Sequence, residues 1–320
     1  MGAFGVAARR VRRGWLPALA WALLVVASGA HGQGPAPGPA PDTAAPPVLL
    51  EPFAVDGGSL KLTVPRGALT VRPSTDDRVH VRGTLAAGQR LRQAAMPGGR
   101  LLALVDEARL FPAAATLDVQ VPSALSLSID VAAARLDLEG VDGPTLRVDG
   151  GSGPIRLVSA AKAVKVRSRS GPLELELSGE RLDVGTVTGD IDLSALTTGV
   201  RLRAESVAGA LRIQTGEPGP LRIESVSGRI EISTRQGQAP VSLETVTGDI
   251  DLRLAEQTAA ALRFEPGTRP LGLRGGLVAA ADGRARLAGG TWPLRLATLS
   301  GGLTVRQGSG VLAEPEHIRD

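Results

Sequence analysis

Apolar and polar residues alternate along most of this chain, and between about residues 146 and 252 the alternation recurs around a glycine. If that glycine is position 0, apolar residues fill positions −7, −5, +2 and +4 of every copy. Apolar residues spaced by two predict a strand with one buried face. The central glycines lie 18 to 20 residues apart, and they are Gly153, Gly171, Gly189, Gly209, Gly228 and Gly248.

This short and nearly constant period predicts an all-β fold, a parallel, right-handed β-helix or β-solenoid with rungs of 18–20 residues. Each rung would contain two short strands that meet at a Ser/Thr-Gly corner. An antiparallel meander is the rival arrangement. A glycine in an inward-facing position indicates either a corner without room for a side chain or a positive φ, and the sequence leaves both open.

The parity of the pattern sets further expectations at the corner. Position −2 shares the parity of the glycine, so we expect its valines to face the core: Val187, Val207, Val226 and Val246. The Ser and Thr residues at −3 and −1 are then expected to face outward and to form hydroxyl ladders across rungs about 4.8 Å apart. The change of parity between −5 and −2 predicts a bend or bulge there.

Position −4 argues against perfect stacking, because it would align Glu205, Glu224 and Glu244 on neighbouring rungs. Like charges directly opposite one another are unfavourable. Arg203 and Arg222 lie two residues earlier on the same face, and they are expected to offset part of this repulsion.

Strand-like alternation extends on both sides of the repeat. Upstream, short runs predict strands around residues 60–64, 69–71, 79–81, 101–105, 117–121 and 125–138. Downstream, the pattern returns in full at Gly301. The intervening residues Leu262, Phe264, Leu271 and Leu273 fit a degenerate coil with Arg269 in the glycine position. No long amphipathic helix is predicted in residues 48–313.

The N-terminus differs in composition from the rest. Four arginines at residues 9–13, an apolar run over 16–27 and small residues near 28–32 predict a secretory signal peptide over residues 1–30. The apolar run is too short for a membrane span, so the mature chain is expected to have none. Residues 31–47 are predicted to be a Pro/Gly/Ala linker, residues 48–313 the solenoid domain and residues 314–320 a polar tail.

Cleavage changes the charge of the protein. The four arginines are the only charged residues in 1–30, so their removal takes the formal net charge from +4 to zero. A neutral mature chain weakens a nucleic-acid interpretation, and we expect no nucleic-acid partner. The chain contains no cysteine, which excludes both disulfides and a bacterial lipoprotein anchor.

Residues suited to catalysis are few. The chain has no Tyr and no Asn, and outside the signal region and linker its histidines are His80 and His317, which we interpret as isolated surface residues. No hydrolase, metalloprotease or phosphate-loop motif occurs. We therefore predict no catalytic residues and no cofactor.

Four aspartates are the strongest candidates for a site. Asp190 and Asp192 lie two residues apart on one strand face, as do Asp249 and Asp251. Carboxylates about 7 Å apart can act as general acid and base or help to bind Ca²⁺. The alternative, which we favour, is that they are solvated charges paired with Arg212 and Arg229 of neighbouring coils.

The succession from Leu60-Lys-Leu-Thr-Val through Val121-Pro122 to the repeated Val-Thr-Gly-Asp-Ile-Asp-Leu resembles the bacterial β-strand-repeat family labelled putative adhesin, a domain of unknown function. The resemblance covers roughly residues 50–310, and the stretch from about 255 to 293 departs from it. It implies an exported or membrane-associated β-solenoid domain, often encoded near envelope-stress regulators. It supplies no catalytic residues.

The sequence thus predicts a non-enzymatic envelope protein, a β-helical scaffold or binding module in the periplasm or on the cell surface. Its expected partner is an envelope protein or a surface polysaccharide. The alternatives are a polysaccharide-active β-helix enzyme and a regulatory domain that senses envelope stress through a protein partner.

Overall fold

The computed structural model describes residues 47–55, 57–107, 113–195, 197–264, 270–273, 278–279 and 284–308. Every regular element in these residues is a β-strand, which confirms the all-β prediction. The predicted signal peptide, the linker before residue 47, the polar tail, His317 and Arg269 lie outside the described residues.

Seven strands precede the repeat: β1 (Pro47–Phe53), β2 (Ser59–Pro73), β3 (Val79–Thr84), β4 (Gln89–Met96), β5 (Gly99–Asp106), β6 (Ala115–Val121) and β7 (Ser126–Glu139). The repeat begins with β8 (Thr145–Gly150), β9 (Ile155–Ser159), β10 (Ala163–Ser168), β11 (Leu173–Leu177), β12 (Arg181–Thr186), β13 (Ile191–Ala195) and β14 (Arg201–Ser206). It continues with β15 (Leu211–Thr215), β16 (Leu221–Ser225), β17 (Ile230–Thr234), β18 (Val241–Thr245) and β19 (Ile250–Leu254). The last strands are β20 (Ala260–Phe264), β21 (Pro270–Leu273), β22 (Val278–Ala279), β23 (Arg284–Leu287), β24 (Trp292–Thr298) and β25 (Leu303–Gln307).

Each rung of the repeat contributes one strand before its glycine and one strand after it. The strands before the glycine pair in parallel with one another, in the order β8, β10, β12, β14, β16 and β18, and form sheet A. The strands after it pair likewise, from β9 to β19, and form sheet B. This pairing confirms a parallel β-solenoid and rules out the antiparallel meander.

Equivalent positions of the repeat lie opposite one another. In sheet A, Leu202 pairs with Leu221 and Leu221 with Val241, all at position −7. In sheet B, Ile230 lies between Leu211 and Ile250, all at position +2. These side chains are buried in one continuous aliphatic core, as the strand periodicity predicts.

The parity prediction at the corner is wrong. The hydroxyl residues at −3 are buried, whereas Val187 and Val226 at −2 are 38% and 36% exposed. The inward alternation −7, −5, −3 continues through the end of the sheet A strand, and positions −2 and −1 both lie in the turn that leads to the glycine. The break in alternation therefore falls inside the corner, after −3, because turn residues do not follow strand geometry.

The buried hydroxyls at −3 do not form ladders with one another. Thr186 Oγ1 accepts a hydrogen bond from the amide of Gly189 at 2.9 Å, and Ser225 and Thr245 bond the amides of Gly228 and Gly248 in the same way. Each of these three hydroxyls satisfies a backbone donor of its own corner, whereas Ser168 and Ser206 donate to the carbonyls of Gly171 and Gly209. A polar side chain can be buried here because it is hydrogen-bonded.

Thr186→Val should therefore destabilise the fold, because valine keeps the shape but removes the acceptor of a buried amide. We expect a loss of about 1–2 kcal/mol in the free energy of unfolding. Thr188 of the same corner is exposed, so Thr188→Val should change the free energy of unfolding by less than about 0.5 kcal/mol. Urea denaturation of both variants measures the difference, and equal effects would contradict the assignment of −3 to the core.

The glycine position is explained by the neighbouring rung. A Cβ on Gly189, Gly209 or Gly248 would lie 1.9–2.2 Å from the carbonyl oxygen of the preceding rung's glycine. None of these residues has a positive φ. The corner thus requires glycine because backbones of adjacent rungs are in contact, and this decides between the two explanations that the sequence left open.

The glutamates at −4 are stacked in register despite their like charges. Glu224 lies directly between Glu205 and Glu244 on adjacent strands of sheet A. Arg222 hydrogen-bonds Glu224 within its strand, and this bond, with the charges of Glu224, Glu244 and Glu205, raises the pKa of Arg222. Arg203 pairs with Glu205 in the same manner. The arginine two residues earlier therefore compensates the stacked carboxylates.

The rungs at the C-terminal end are not stacked in sequence order. Strand β24 pairs with β18 on one side and β20 on the other, so the Gly301 rung lies between the Gly248 rung and the coil that precedes it in the chain. Trp292 is buried and donates from Nε1 to the carbonyl of Ala239 at 2.7 Å. Leu262 and Phe264 pair with Leu294 and Leu296, which confirms the strand predicted for the degenerate coil.

The N-terminal end has a similar arrangement. The long strand β2 lies between β7 and the strands β5 and β6, although all three follow it in sequence. The first half of β2 extends sheet A and the second half extends sheet B. Strand β4 then pairs antiparallel with β5, β3 with β6, and β1 with β3, which ends both sheets.

Candidate functional site

The structure separates the two aspartate pairs. Asp190 and Asp192 belong to the Gly189 rung, and Asp249 and Asp251 to the Gly248 rung, three rungs further along sheet B. At a spacing of about 4.8 Å per rung, the pairs lie about 14 Å apart. The four carboxylates therefore do not converge on one ligand.

The first aspartate of each pair contacts the backbone of the next rung. Asp190 Oδ1 accepts from the amide of Ala210 at 2.8 Å, and Asp249 Oδ1 from the amide of Gly302 at 2.7 Å. Asp142 accepts from the amide of Ala160 at 2.7 Å in the same way. This repeated contact gives the carboxylate a structural use, since it satisfies a backbone donor between rungs.

The arginine pairing proposed from sequence is found in part. Arg229 Nη2 lies 3.4 Å from Asp249 Oδ2. Arg212 is opposite Asp192 in the register but contacts Glu231, at 3.9 Å. Asp251 is approached at 3.7 Å by both Arg253 and Arg306. Among the described residues, no group of three or more His, Cys, Asp or Glu side chains is placed to bind a metal ion.

The metal hypothesis has a direct test. Replacing Asp190, Asp192, Asp249 and Asp251 together by Asn keeps an acceptor for each backbone amide and removes four charges. We expect the melting temperature to be unaffected by Ca²⁺ in both proteins, and stability to change by about 1 kcal/mol or less. Calorimetry with and without Ca²⁺ measures this. A Ca²⁺-dependent rise in the parent that disappears in the variant would establish a metal site.

His80 is not isolated, contrary to the sequence interpretation. Its Nε2 lies 2.8 Å from Asp76 Oδ1, in the turn between β2 and β3. Ser74 also donates to Asp76, and these two hydrogen bonds lower the pKa of the Asp76 carboxyl to about 2. Because Ser74 bonds the carboxylate and not the imidazole, the group orders the turn and does not form a nucleophile-base pair.

The corner presents an aliphatic row along five adjacent rungs, in which exposed and half-buried side chains alternate. We term it the corner ridge: Val187, Val207, Val226, Val246 and Leu299. Leu299 is 72% exposed. The four valines were predicted to face the core, and the signal that could have corrected this is the Ser or Thr at −3 of each corner.

A row of exposed hydroxyls runs beside the corner ridge, at position −1. It consists of Thr188, Ser227, Thr247 and Ser300. Ser227 Oγ donates to the carbonyl of Val207 at 3.1 Å, which fixes its place beside the ridge. With rungs about 4.8 Å apart, the two rows form a strip about 19 Å long, with a hydroxyl beside the ridge in four of the five rungs and Ala208 in the Gly209 rung.

A shallow pocket of about 640 Å³ lies at the N-terminal end, beside β4. It is lined by Gly57, residues 93–96 of β4 and residues 98–100. The guanidinium of Arg100 lies over the ring of Phe53 at 5.4 Å. No motif in the sequence indicates this pocket, because it is formed where the sheet ends.

Comparisons with known proteins establish no family. No family model matches the chain, and no curated protein matches it. The chain is similar to the crystal structure of a putative lipid binding protein from Parabacteroides distasonis, with 12% identity, a TM-score of 0.33 and coverage of 82% of this chain and 98% of that one. It is also similar to a putative cell adhesion protein from Clostridium sporogenes, with 10% identity, a TM-score of 0.24 and coverage of 82% and 100%.

Both likenesses are at low identity and low TM-score, so they indicate nothing about ligand or activity. Within the described residues there is no apolar helix of membrane-spanning length.

Proposed function

We propose that this protein is a non-enzymatic, exported envelope protein whose β-solenoid binds a surface polysaccharide along the corner ridge. The observation that carries the proposal is the ridge itself, which places aliphatic side chains on five successive rungs and an exposed hydroxyl beside four of them. The apolar C–H faces of sugar rings suit the aliphatic row, and their hydroxyl groups suit the serine and threonine row.

The geometry favours a long ligand over a small one. The two rows run along the surface of the solenoid over five rungs, so contacts to them add up along an extended polymer. A binding surface that repeats with the fold is typical of solenoid proteins. Aromatic platforms for sugars are not required for this mode, which agrees with a chain that contains no Tyr.

Export rests on the N-terminal sequence. The basic residues, the apolar run and the small residues within residues 1–32 together have the pattern of a secretory signal peptide. The chain has no cysteine, so its stability does not depend on whether the compartment is oxidising or reducing. Export is therefore compatible with a fold that is held together by stacked rungs.

The enzymatic alternative has less support from the geometry. A polysaccharide-cleaving site needs two carboxyl groups held about 5–10 Å apart across one bond. Within each aspartate pair the first carboxylate is hydrogen-bonded to a backbone amide of the next rung, Asp190 to Ala210 and Asp249 to Gly302, so neither pair presents two unengaged carboxyl groups.

Two measurements test the proposal. Intact mass of the exported protein should show loss of residues 1 to about 30–33, and a product that retains Met1 would contradict export by this signal. Cosedimentation with isolated cell-surface polysaccharide should retain the protein. The triple change Val187→Ser, Val226→Ser and Leu299→Ser should weaken retention by about tenfold or more.

A matched control separates the ridge from general surface effects. Arg156→Ser, Arg212→Ser and Gln214→Ser alter three residues of the outer face of sheet B, all of them exposed. This variant should bind as the parent does. Equal binding by parent and ridge variant, or cleavage of the polysaccharide by the parent, would contradict the proposal.

A further inference from the structure

The strands that the structure describes leave four sheet edges, and three of them are blunted. At the N-terminal end of sheet B, β1 contains Pro47 and Pro52 and an irregular register. At the other end, β22 has two residues, and β21 has four and begins with Pro270. Short strands and prolines are common protections against edge-to-edge pairing.

Strand β4 is the exception. It has eight residues without proline or glycine, and in the described part of the chain it pairs with β5 alone. Its second half, residues 93–96, is exposed and uncharged and lines the pocket described above. Such a strand presents a row of backbone donors and acceptors that can pair with another strand.

We propose that β4 pairs antiparallel with β4 of a second copy of this chain, about a two-fold axis at Gln93. The protein would then be a dimer in which sheet A runs through both solenoids. Two-fold dimers with self-complementary interfaces are the commonest oligomers.

The register follows from charge and size. Directly opposed residues of an antiparallel pair point to the same face. A two-fold axis must therefore lie between one residue of β4 and the same residue of the second copy, and we name each axis by that residue. An axis at Arg92 places this arginine against its own copy, and an axis at Leu91 places Arg90 against Arg92. An axis at Ala94 leaves Arg90 outside the pairing. Only the axis at Gln93 pairs residues 90–96 without opposing like charges.

That register also matches large residues with small ones. On the outer face, Arg92 lies opposite the second copy's Ala94, and Arg90 opposite its Met96. On the core side, Leu91 lies opposite the second copy's Ala95, which lines the pocket. Leu91 already packs against the core of its own chain, so the pairing would cover the exposed end of that core.

Sedimentation equilibrium of the mature chain at about 50 μM is the first test, and we expect a dimer. Ala94→Arg places an arginine opposite Arg92 twice per interface, so this variant should be a folded monomer by circular dichroism and sedimentation. Adding Arg92→Glu to Ala94→Arg should restore the dimer, because the opposed charges then attract. Ala208→Arg, at an exposed residue of the corner, should remain dimeric.

Cross-linking tests the register independently. Because the chain has no cysteine, Gln93→Cys alone should give a covalent dimer on mild oxidation, whereas Arg92→Cys and Ala94→Cys alone should not. A parent that sediments as a monomer, or an Ala94→Arg variant that remains dimeric, would overturn the proposed interface. Cross-linking by Arg92→Cys instead of Gln93→Cys would overturn the register.

Discussion

Replacing Gly209 by alanine should cost about 3 kcal/mol or more of the free energy of unfolding, because the added methyl group has no space. Its Cβ would lie 1.9 Å from the carbonyl oxygen of Gly189 and 2.6 Å from the carbonyl carbon. These are backbone atoms of the adjacent rung, so relief requires the rungs to separate. Urea denaturation followed by circular dichroism measures the loss.

The control for this change is Gly308→Ala. No heavy atom lies within 4 Å of a Cβ built at Gly308, and its φ is not positive. We expect this variant to be as stable as the parent within about 0.5 kcal/mol. If Gly209→Ala were equally silent, adjacent corners could not be in backbone contact, and the stacking of the rungs would have to be revised.

Ile230→Asp should be at least as damaging, by about 4 kcal/mol or more. Ile230 is 0% exposed and lies between Leu211 and Ile250 of the adjacent rungs. A carboxylate there would be buried among aliphatic side chains without a partner. Thermal and urea unfolding of the purified variant give the magnitude, and its yield gives a qualitative check.

The neighbouring residue supplies the matched control. Arg229 is exposed, and its contacts with Glu231 and Asp249 are at 3.5 and 3.4 Å. Exposed pairs of this kind contribute little, so Arg229→Ser should change stability by less than about 1 kcal/mol. Comparable losses for the two adjacent substitutions would show that the assignment of inward and outward positions is out of register.

The strands of the repeat could be predicted because strand geometry imposes a period of two. Positions such as Leu211, Ile230 and Ile250 are buried as that period requires. The prediction failed at Val226 and Ser225, where the chain turns and a hydroxyl bonds the amide of Gly228. Apolar character alone favours burial of the valine, and only the hydrogen-bonding need of the corner amide reverses this.

The order of the rungs could not be predicted from the pattern. Leu294 of the Gly301 rung and Leu262 of the preceding coil occupy equivalent positions, so either could stack on Val241. The repeat identifies which residues form a rung but not which rung is its neighbour. The open edge of β4 was missed for a related reason, since the second half of that strand is exposed and shows no alternation.

Paired cysteines test the central claim. This claim is that the fold is a parallel solenoid in which the Gly301 rung lies between the Gly248 rung and the coil that precedes it in the chain. Ser242 lies opposite Arg295 in adjacent strands, at a spacing that a disulfide can bridge, whereas Arg263 lies one rung further away, at about 10 Å. The chain has no other cysteine to compete. Ser242→Cys with Arg295→Cys should therefore oxidise readily within one chain, and Ser242→Cys with Arg263→Cys should not. The opposite result would mean that the rungs are stacked in sequence order and would contradict this account of the fold.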